Sequence, residues 1–332
     1  MPLHHTLKPT LKRGSLVAAA NWQVTLIQAI ADSLFKLLIA APLVGGVFLV
    51  ALVVGSEPRT LLALEWRELV ATIVTSLVSR PIVLALFLAA LGVVVIGGSL
   101  FVFLVKAGTV GTLVRGNRSA GPIEQPPLHL ESVARASAFS IESFTDAARS
   151  LFPRYARLGA VLLGVYIAST GLFLGAVFGG GGALSSWGLT AVVTALFVSW
   201  ITIVNLLYLL TQIVIAADDC AVAAAMSRVA AFVRRERLPV AAVFLIVLAL
   251  VVVATAASVL ATGALSLIGF VPFLGPFLGL AVMPLSLLAW ALRALVFQYI
   301  GLASVVAYLA LYREAEAFAT ASAVVRAARQ MP

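Results

Sequence analysis

Six apolar runs, each about the length of a bilayer-spanning helix, lie at 34–54, 81–105, 158–178, 190–215, 240–260 and 294–312. Wound as α-helix, roughly 20 such residues cover the hydrocarbon thickness of a bilayer. Composition removes the alternatives. Of the 332 residues 62% are hydrophobic and 11% charged, where a soluble domain carries about a quarter charged. A water-soluble globule this apolar could not cover its surface, and a disordered chain needs far lower hydrophobicity. The expected fold class is all-α: a polytopic transmembrane helix bundle of six spans with interfacial amphipathic helices.

Two stretches do not fit a simple span. Residues 15–33 are apolar, but joined to 34–54 they would make a helix of about 60 Å, twice the hydrocarbon core. They are expected to form an interfacial helix, with Asn21, Gln23, Gln28 and Asp32 toward water and Trp22 at the headgroups. Residues 264–292 are apolar but hold Pro272, Pro276, Pro284, Gly269, Gly275 and Gly279. That density of helix breakers predicts a buried or re-entrant hairpin on the outer side, with a seventh partial span as the alternative. The domain reading is therefore an N-terminal segment and interfacial helix at 1–33, a six-span membrane domain at 34–312, and a tail at 313–332.

Lys and Arg set the orientation. Seventeen of them fall at the N-terminus, in the loops 106–157 and 216–239, and at the C-terminus. Four, Arg59, Arg67, Arg80 and Arg293, fall on the other side. Both termini are expected in the cytoplasm, with Lys36 snorkelling from the first span to the same surface. The net charge of +9 is assigned to orientation and anionic headgroups, with no nucleic-acid partner. A cleavable signal peptide is not expected, because the first spanning run starts more than 30 residues in.

The loop 106–157 holds an amphipathic pattern at 131–152. Val133, Ser140, Ile141, Phe144, Ala148, Leu151 and Phe152 share one arc; Glu131, Arg135, Glu142, Asp146 and Arg149 share the other. This predicts a membrane-surface helix ended by Pro153, or a docking face for a cytosolic partner. A second elbow follows the fourth span. Asp218 and Asp219 precede a short helix with Val222, Met226, Val229 and Val233 on one face and Arg234, Arg235 and Arg237 at its end. The aspartates are expected to cap that helix and oppose its dipole. Neighbouring carboxylates on a helix diverge by about 100° and do not chelate alone, so an ion site there is the lesser alternative.

That elbow (Asp218-Asp219-Cys220-Ala221 through Ser227-Arg228 to Arg234-Arg235), a following span, and the close of the last span at Leu309-Ala310-Leu311-Tyr312-Arg313 resemble a broad bacterial group. Its members are six-span proteins related to the membrane domain of glycerophosphoryl diester phosphodiesterases. The resemblance covers about residues 20–315. It implies a helical membrane domain of the bacterial cytoplasmic (inner) membrane without an enzyme site of its own. Residues 1–332 show no phosphodiesterase barrel, so that activity is not expected to carry over.

Chemistry that would mark an enzyme is not legible. The three histidines, His4, His5 and His129, lie outside the apolar runs, and the single cysteine, Cys220, forms no disulfide or metal motif. The methionines are badly placed for axial haem ligation. Gly179 to Gly182 lack the Gly-Lys-Ser/Thr of a phosphate loop and are read as an outer turn. No catalytic, cofactor or metal residue is assigned, and no cofactor is expected. Polar groups at membrane depth are Asn205, Gln212 and Gln298, expected as interhelical contacts or as the lining of a polar cavity. Arg293 opens the sixth run and is expected at the outer interface, where it can meet a lipid headgroup or another anion. The functional expectation is a non-enzymatic structural or accessory subunit of a larger membrane assembly, with membrane lipids and other membrane subunits as partners. The alternative is a permease for a small or lipidic solute.

Overall fold

The structure, a computed structural model, describes residues 4–54, 75, 78–127, 130–178, 187–269 and 275–329. Among these residues the regular elements are all helices: α1 (His4–Ala20), α2 (Trp22–Val54), α3 (Pro81–Ser119), α4 (Leu130–Ala136), α5 (Ile141–Phe178), α6 (Trp187–Asp218), α7 (Val222–Arg235), α8 (Arg237–Gly269) and α9 (Gly275–Arg329). Six of them, α2, α3, α5, α6, α8 and α9, contain a stretch long and apolar enough to cross a membrane. The fold is the all-α, six-span bundle, and each expected run falls inside one of these helices.

The ends of the runs differ from expectation. At 22–33 and 106–119 the helices continue past the apolar run into protein-packed segments, where Val24, Gln28, Leu113 and Val114 are buried. Residues 22–33 and 34–54 form one helix, and the break falls at Asn21 instead. The segment 106–119, expected as loop, continues α3. On the proline-rich side, 264–269 belongs to α8 and 275–292 to α9, with Pro284 inside the helix. The expected separate hairpin is therefore replaced, among the described residues, by extensions of two spans. Residues 270–274 and the Gly179–Gly182 turn lie outside the described residues.

The expected surface helix at 131–152 is also re-divided. It breaks between α4 and α5, where Ser140 and Ser143 cap each other: the Ser143 amide donates to Ser140 Oγ at 3.1 Å and the Ser140 amide to Ser143 Oγ at 3.3 Å. Pro153 does not end the helix but sits inside α5. Ala147, Ala148, Leu151, Tyr155 and Leu158 are buried on one continuous face to both sides of it, which offsets the lost backbone bond. Ile141, assigned to the apolar arc, is 76% exposed.

The chain forms two compact units, residues 29–105 and residues 1–28 with 106–332. In the smaller unit α2 and α3 exchange aromatic knobs. A Cβ on Gly98 would come within 2.5 Å of the Phe35 ring, and one on Gly46 within 2.6 Å of the Phe87 ring. Glycine is thus what lets these two antiparallel helices approach. Gly92 and Gly97 of the same helix have nothing within 4 Å of an ideal Cβ. Asp32 pairs with Lys36 one turn on, at 2.7 Å.

The larger unit holds the packed core. It gathers the basic ends of the helices: α1, the end of α3, the start of α5, the end of α6, α7, the start of α8 and residues 302–315 of α9. Leu113, Tyr155, Ile213, Phe232, Tyr308 and Tyr312 are fully buried there. Backbone contact closes it: a Cβ on Gly14 of α1 would lie 2.5 Å from the Ala303 carbonyl oxygen of α9. Asn21 and Gln28, expected toward water, are buried in this core. The Asn21 amide donates to the Val17 and Ala136 carbonyls and its Oδ1 accepts from the Ala138 amide. Gln28 Oε1 accepts from Thr109 Oγ1 at 3.1 Å. Both amides replace water by protein partners, which a hydropathy pattern does not distinguish. Beyond the core, the same helices turn large apolar side chains outward, among them Leu172, Leu196, Leu245, Leu260 and Leu288.

Candidate functional site

Three constellations in the larger unit carry polar chemistry. The first lies at the end of α6. Asp218 is its last residue, and Asp219 follows with φ of 48°, a left-handed conformation that ends the helix. Helix α7 starts only at Val222, with Ala221 at its N-cap and no side-chain cap. Neither aspartate caps it, which corrects the sequence expectation. The left-handed turn instead directs both carboxylates at cations from three other helices. Asp218 Oδ2 accepts from Arg228 Nη1 at 2.7 Å and from the Tyr312 hydroxyl at 2.6 Å, and Oδ1 lies 3.3 Å from Arg313 Nη1. Asp219 pairs with Arg154 of α5.

Arg118 and Arg313 both donate to the Ala217 carbonyl, one of the acceptors left over at a helix C-terminus. The buried face of α7 is Ala225, Val229 and Phe232, with Met226 turned outward; the expected face is thus rotated. Phe232 meets the Tyr312 ring edge-on at 5.4 Å. Burial pushes the Cys220 thiol above its ordinary range, against the opposing pull of Arg228. Hydrogen bonding to Asp218 raises Arg228 above its ordinary value. Among the described residues no group of three or more metal-ligating side chains gathers.

The second constellation was not legible in the sequence. Arg13 of α1 donates from Nε to Asn117 Oδ1 at 2.6 Å, from Nη1 to the Gly121 carbonyl at 2.7 Å and Glu124 Oε2 at 2.8 Å, and from Nη2 to the Asn117 carbonyl at 2.7 Å. Lys12 donates to the Glu124 carbonyl at 2.9 Å. Gly121, at φ of 61°, makes the turn that presents its carbonyl. The partners are more than a hundred residues away in sequence, so no local pattern announces them.

Of the polar residues singled out, Asn205 is a helix contact. Its Oδ1 accepts from the Tyr166 hydroxyl at 2.6 Å, and its Nδ2 donates to the Ile201 carbonyl at 2.9 Å. With Trp200 Nε1 donating to Ser169 Oγ at 2.9 Å and Phe173 stacked on Phe197 at 4.4 Å, it stitches α5 to α6. Gln212 is buried; its backbone carbonyl accepts from Tyr155, while its Nε2 has no partner among the described residues. Gln298 is half-buried on α9. The cavities described here are lined by none of the three.

Arg293 is the third. It stands 18 residues inside α9 and not at its start, with the exposed apolar Leu288, Trp290 and Leu292 before it and Val296 after it. The apolar face of α9 thus continues on both sides of Arg293. Its Cζ lies 5.7 Å from the Phe297 ring centre, and among the described residues no carboxylate pairs with it. It borders a cavity of about 630 Å³ between α8 and α9.

No protein-family model, curated protein or solved structure matches the chain. The resemblance noted from the elbow residues therefore rests on those residues alone.

Proposed function

We propose that the chain is a non-enzymatic structural or accessory subunit of a larger assembly in a bacterial cytoplasmic membrane, with its basic core on the cytoplasmic side. One observation carries the reading. The most apolar stretches of α5 and α6 have none of their residues buried within the chain, and that of α8 only 11%. Yet α5 and α6 are sewn to each other by Tyr166–Asn205 and Ser169–Trp200. A hairpin fixed internally and left open on its outer faces is suited to contact a further membrane protein. The ion networks hold that hairpin's base and offer no substrate-sized chemistry. The orientation follows from the basic excess in the core.

The test is a photoreactive side chain placed at Leu172 or Leu196, which are 76% and 66% exposed. An assembly subunit gives discrete protein adducts at stoichiometric yield in native membranes. A chain that crosslinks only to lipid, and runs as a monomer in nanodiscs, is not such a subunit. Orientation is read from native Cys220, which a membrane-impermeant maleimide should reach only after permeabilisation.

A further inference from the structure

We infer that the cleft between α8 and α9 seats an anionic glycerophospholipid, with its phosphate on Arg293 and an acyl chain along the alanine face of α8. Ala254, Ala257, Ser258 and Ala261 recur at i, i+3, i+4 and i+7, so they line one face of α8. None is long enough to fill the space toward α9, which answers with Ser286 and Ala289. What remains is about 630 Å³, within the range of ligand pockets in general. Its walls are apolar apart from a few hydroxyls and one guanidinium.

That guanidinium decides the ligand's charge. A guanidinium is a cation with five N–H donors and no acceptor. At membrane depth an unpaired guanidinium is strongly disfavoured, so it draws an anion or snorkels to one. Phe297, one turn on, lies 5.7 Å from its Cζ and restrains it over the cleft. Six residues on, about 9 Å along the axis, the Tyr299 hydroxyl donates to the Ser15 carbonyl of α1, the helix that carries Lys8, Lys12 and Arg13. In the other direction α9 continues for 18 residues to Gly275. Arg293 therefore lies nearer the basic core, within reach of the headgroups of that leaflet.

The occupant is a lipid and not a soluble anion because the cleft opens sideways. Ala257, Ala261, Leu292 and Val296 are exposed along its rim and merge with the outward apolar surface of α8 and α9. A net-negative headgroup is favoured over a zwitterionic one because no carboxylate among the cavity's lining residues can meet a choline or ethanolamine cation. A phosphate suits a guanidinium through paired N–H donors.

Trp290 lines the cleft and serves as the reporter. The full chain is reconstituted in phosphatidylcholine vesicles doped with brominated phosphatidylglycerol or brominated phosphatidylcholine. The quenching that disappears in Trp290→Phe is the part that reports the cleft. The expected preference for phosphatidylglycerol is about fivefold, the effect of one basic residue beside an anionic membrane lipid. Arg293→Gln should abolish the preference and Arg293→Lys retain part of it. Ala257→Leu, which fills the cleft and leaves the charge, should weaken quenching by both lipids. Equal quenching by the two lipids in the parent chain, or a preference that survives Arg293→Gln, overturns the inference. Displacement of the brominated lipid by millimolar glycerophosphate would assign the site to a soluble anion and overturn the lipid. If Arg293→Gln fails to fold, the Arg293→Lys and Ala257→Leu arms decide. The inference does not rest on the assembly reading: oligomeric state is measured separately by native mass spectrometry, so either can fail alone.

Discussion

Removing the Asp218 carboxylate should destabilise the chain more than any other single change in its ion networks. The side chain is only 12% exposed. In Asp218→Ala the buried Tyr312 hydroxyl loses a bond to a charged acceptor, worth about 1.5–3 kcal/mol. Arg313, at 3.3 Å and partly exposed, adds up to about 1 kcal/mol after solvent screening. Arg228 is at the surface and is left out of the sum. The total is about 2–4 kcal/mol. Scaled from soluble domains, where 1 kcal/mol moves the melting midpoint by about 2–4 °C, that is a fall of about 4–16 °C. The assay is thermal unfolding in detergent, followed by tryptophan fluorescence, for Asp218→Ala, Tyr312→Phe and the double variant. Tyr312→Phe alone should cost less, because the carboxylate keeps its two arginines. The double variant should fall short of the sum of the singles, since both remove the same bond. A melt for Asp218→Ala within about 1 °C of the parent, or strictly additive effects, would refute the view that this carboxylate anchors α9 to α6.

Other contacts give sharper contrasts. Gly14→Val drives a side chain into the Ala303 carbonyl, which lies 2.5 Å from the ideal Cβ and cannot yield; a loss of about 2–3 kcal/mol in melting experiments is expected. Gly92→Ala, with nothing within 4 Å, should be neutral or stabilising by up to about 1 kcal/mol through helix propensity. Asp219→Gly relieves a left-handed residue at φ of 48° and forfeits only an exposed ion pair with Arg154. It should melt at or above the parent, whereas Asp219→Val should melt below it. Maleimide capture of Cys220 in permeabilised membranes should be slower at neutral pH than capture of a free thiol and rise with pH, because burial holds the thiol up. Arg228→Gln removes a charge that pulls it down and should slow capture further.

How much of this was legible follows from what each residue's partners are. A span is announced by its own twenty residues, so all six were readable without knowing any contact. Helix ends were not, because they are decided by what lies beyond the bilayer. The 22–54 helix looks too long only if everything past the hydrocarbon is assumed to meet water. Here Val24 and Gln28 are buried in a protein core, and the helix persists. The same holds for 106–119, where Gly108 and Gly111 receive Phe144 and Ala147 of α5 at 2.7 and 2.6 Å from their ideal Cβ positions. Glycines in an apolar pattern signal close packing, but not the packing partner.

The aspartate pair and Arg293 show the limit from the other side. For Asp218 and Asp219 the local rule, an acidic residue before a helix, was sound as a rule and wrong here. Two residues separate Asp219 from Val222, and the left-handed turn leaves the N-terminal amides of α7 without a carboxylate cap and pairs the carboxylates with arginines on α5, α7 and α9. Tertiary charge pairing outweighed capping because four cationic or hydroxyl donors, Arg154, Arg228, Tyr312 and Arg313, meet the two carboxylates where a cap would satisfy a single amide. For Arg293 the residues before it, 275–292, are as apolar as those after it and belong to the same helix, so the run read as opening at 294 extends further back along α9. Of the prolines that suggested a separate hairpin, Pro284 is accommodated inside α9. A cation placed inside an apolar face, beside an unfilled space, is then a property of the α8–α9 pair and not of either segment. Among the described residues no carboxylate pairs with it, which is why the lipid composition of the vesicle is the variable chosen to test the inference.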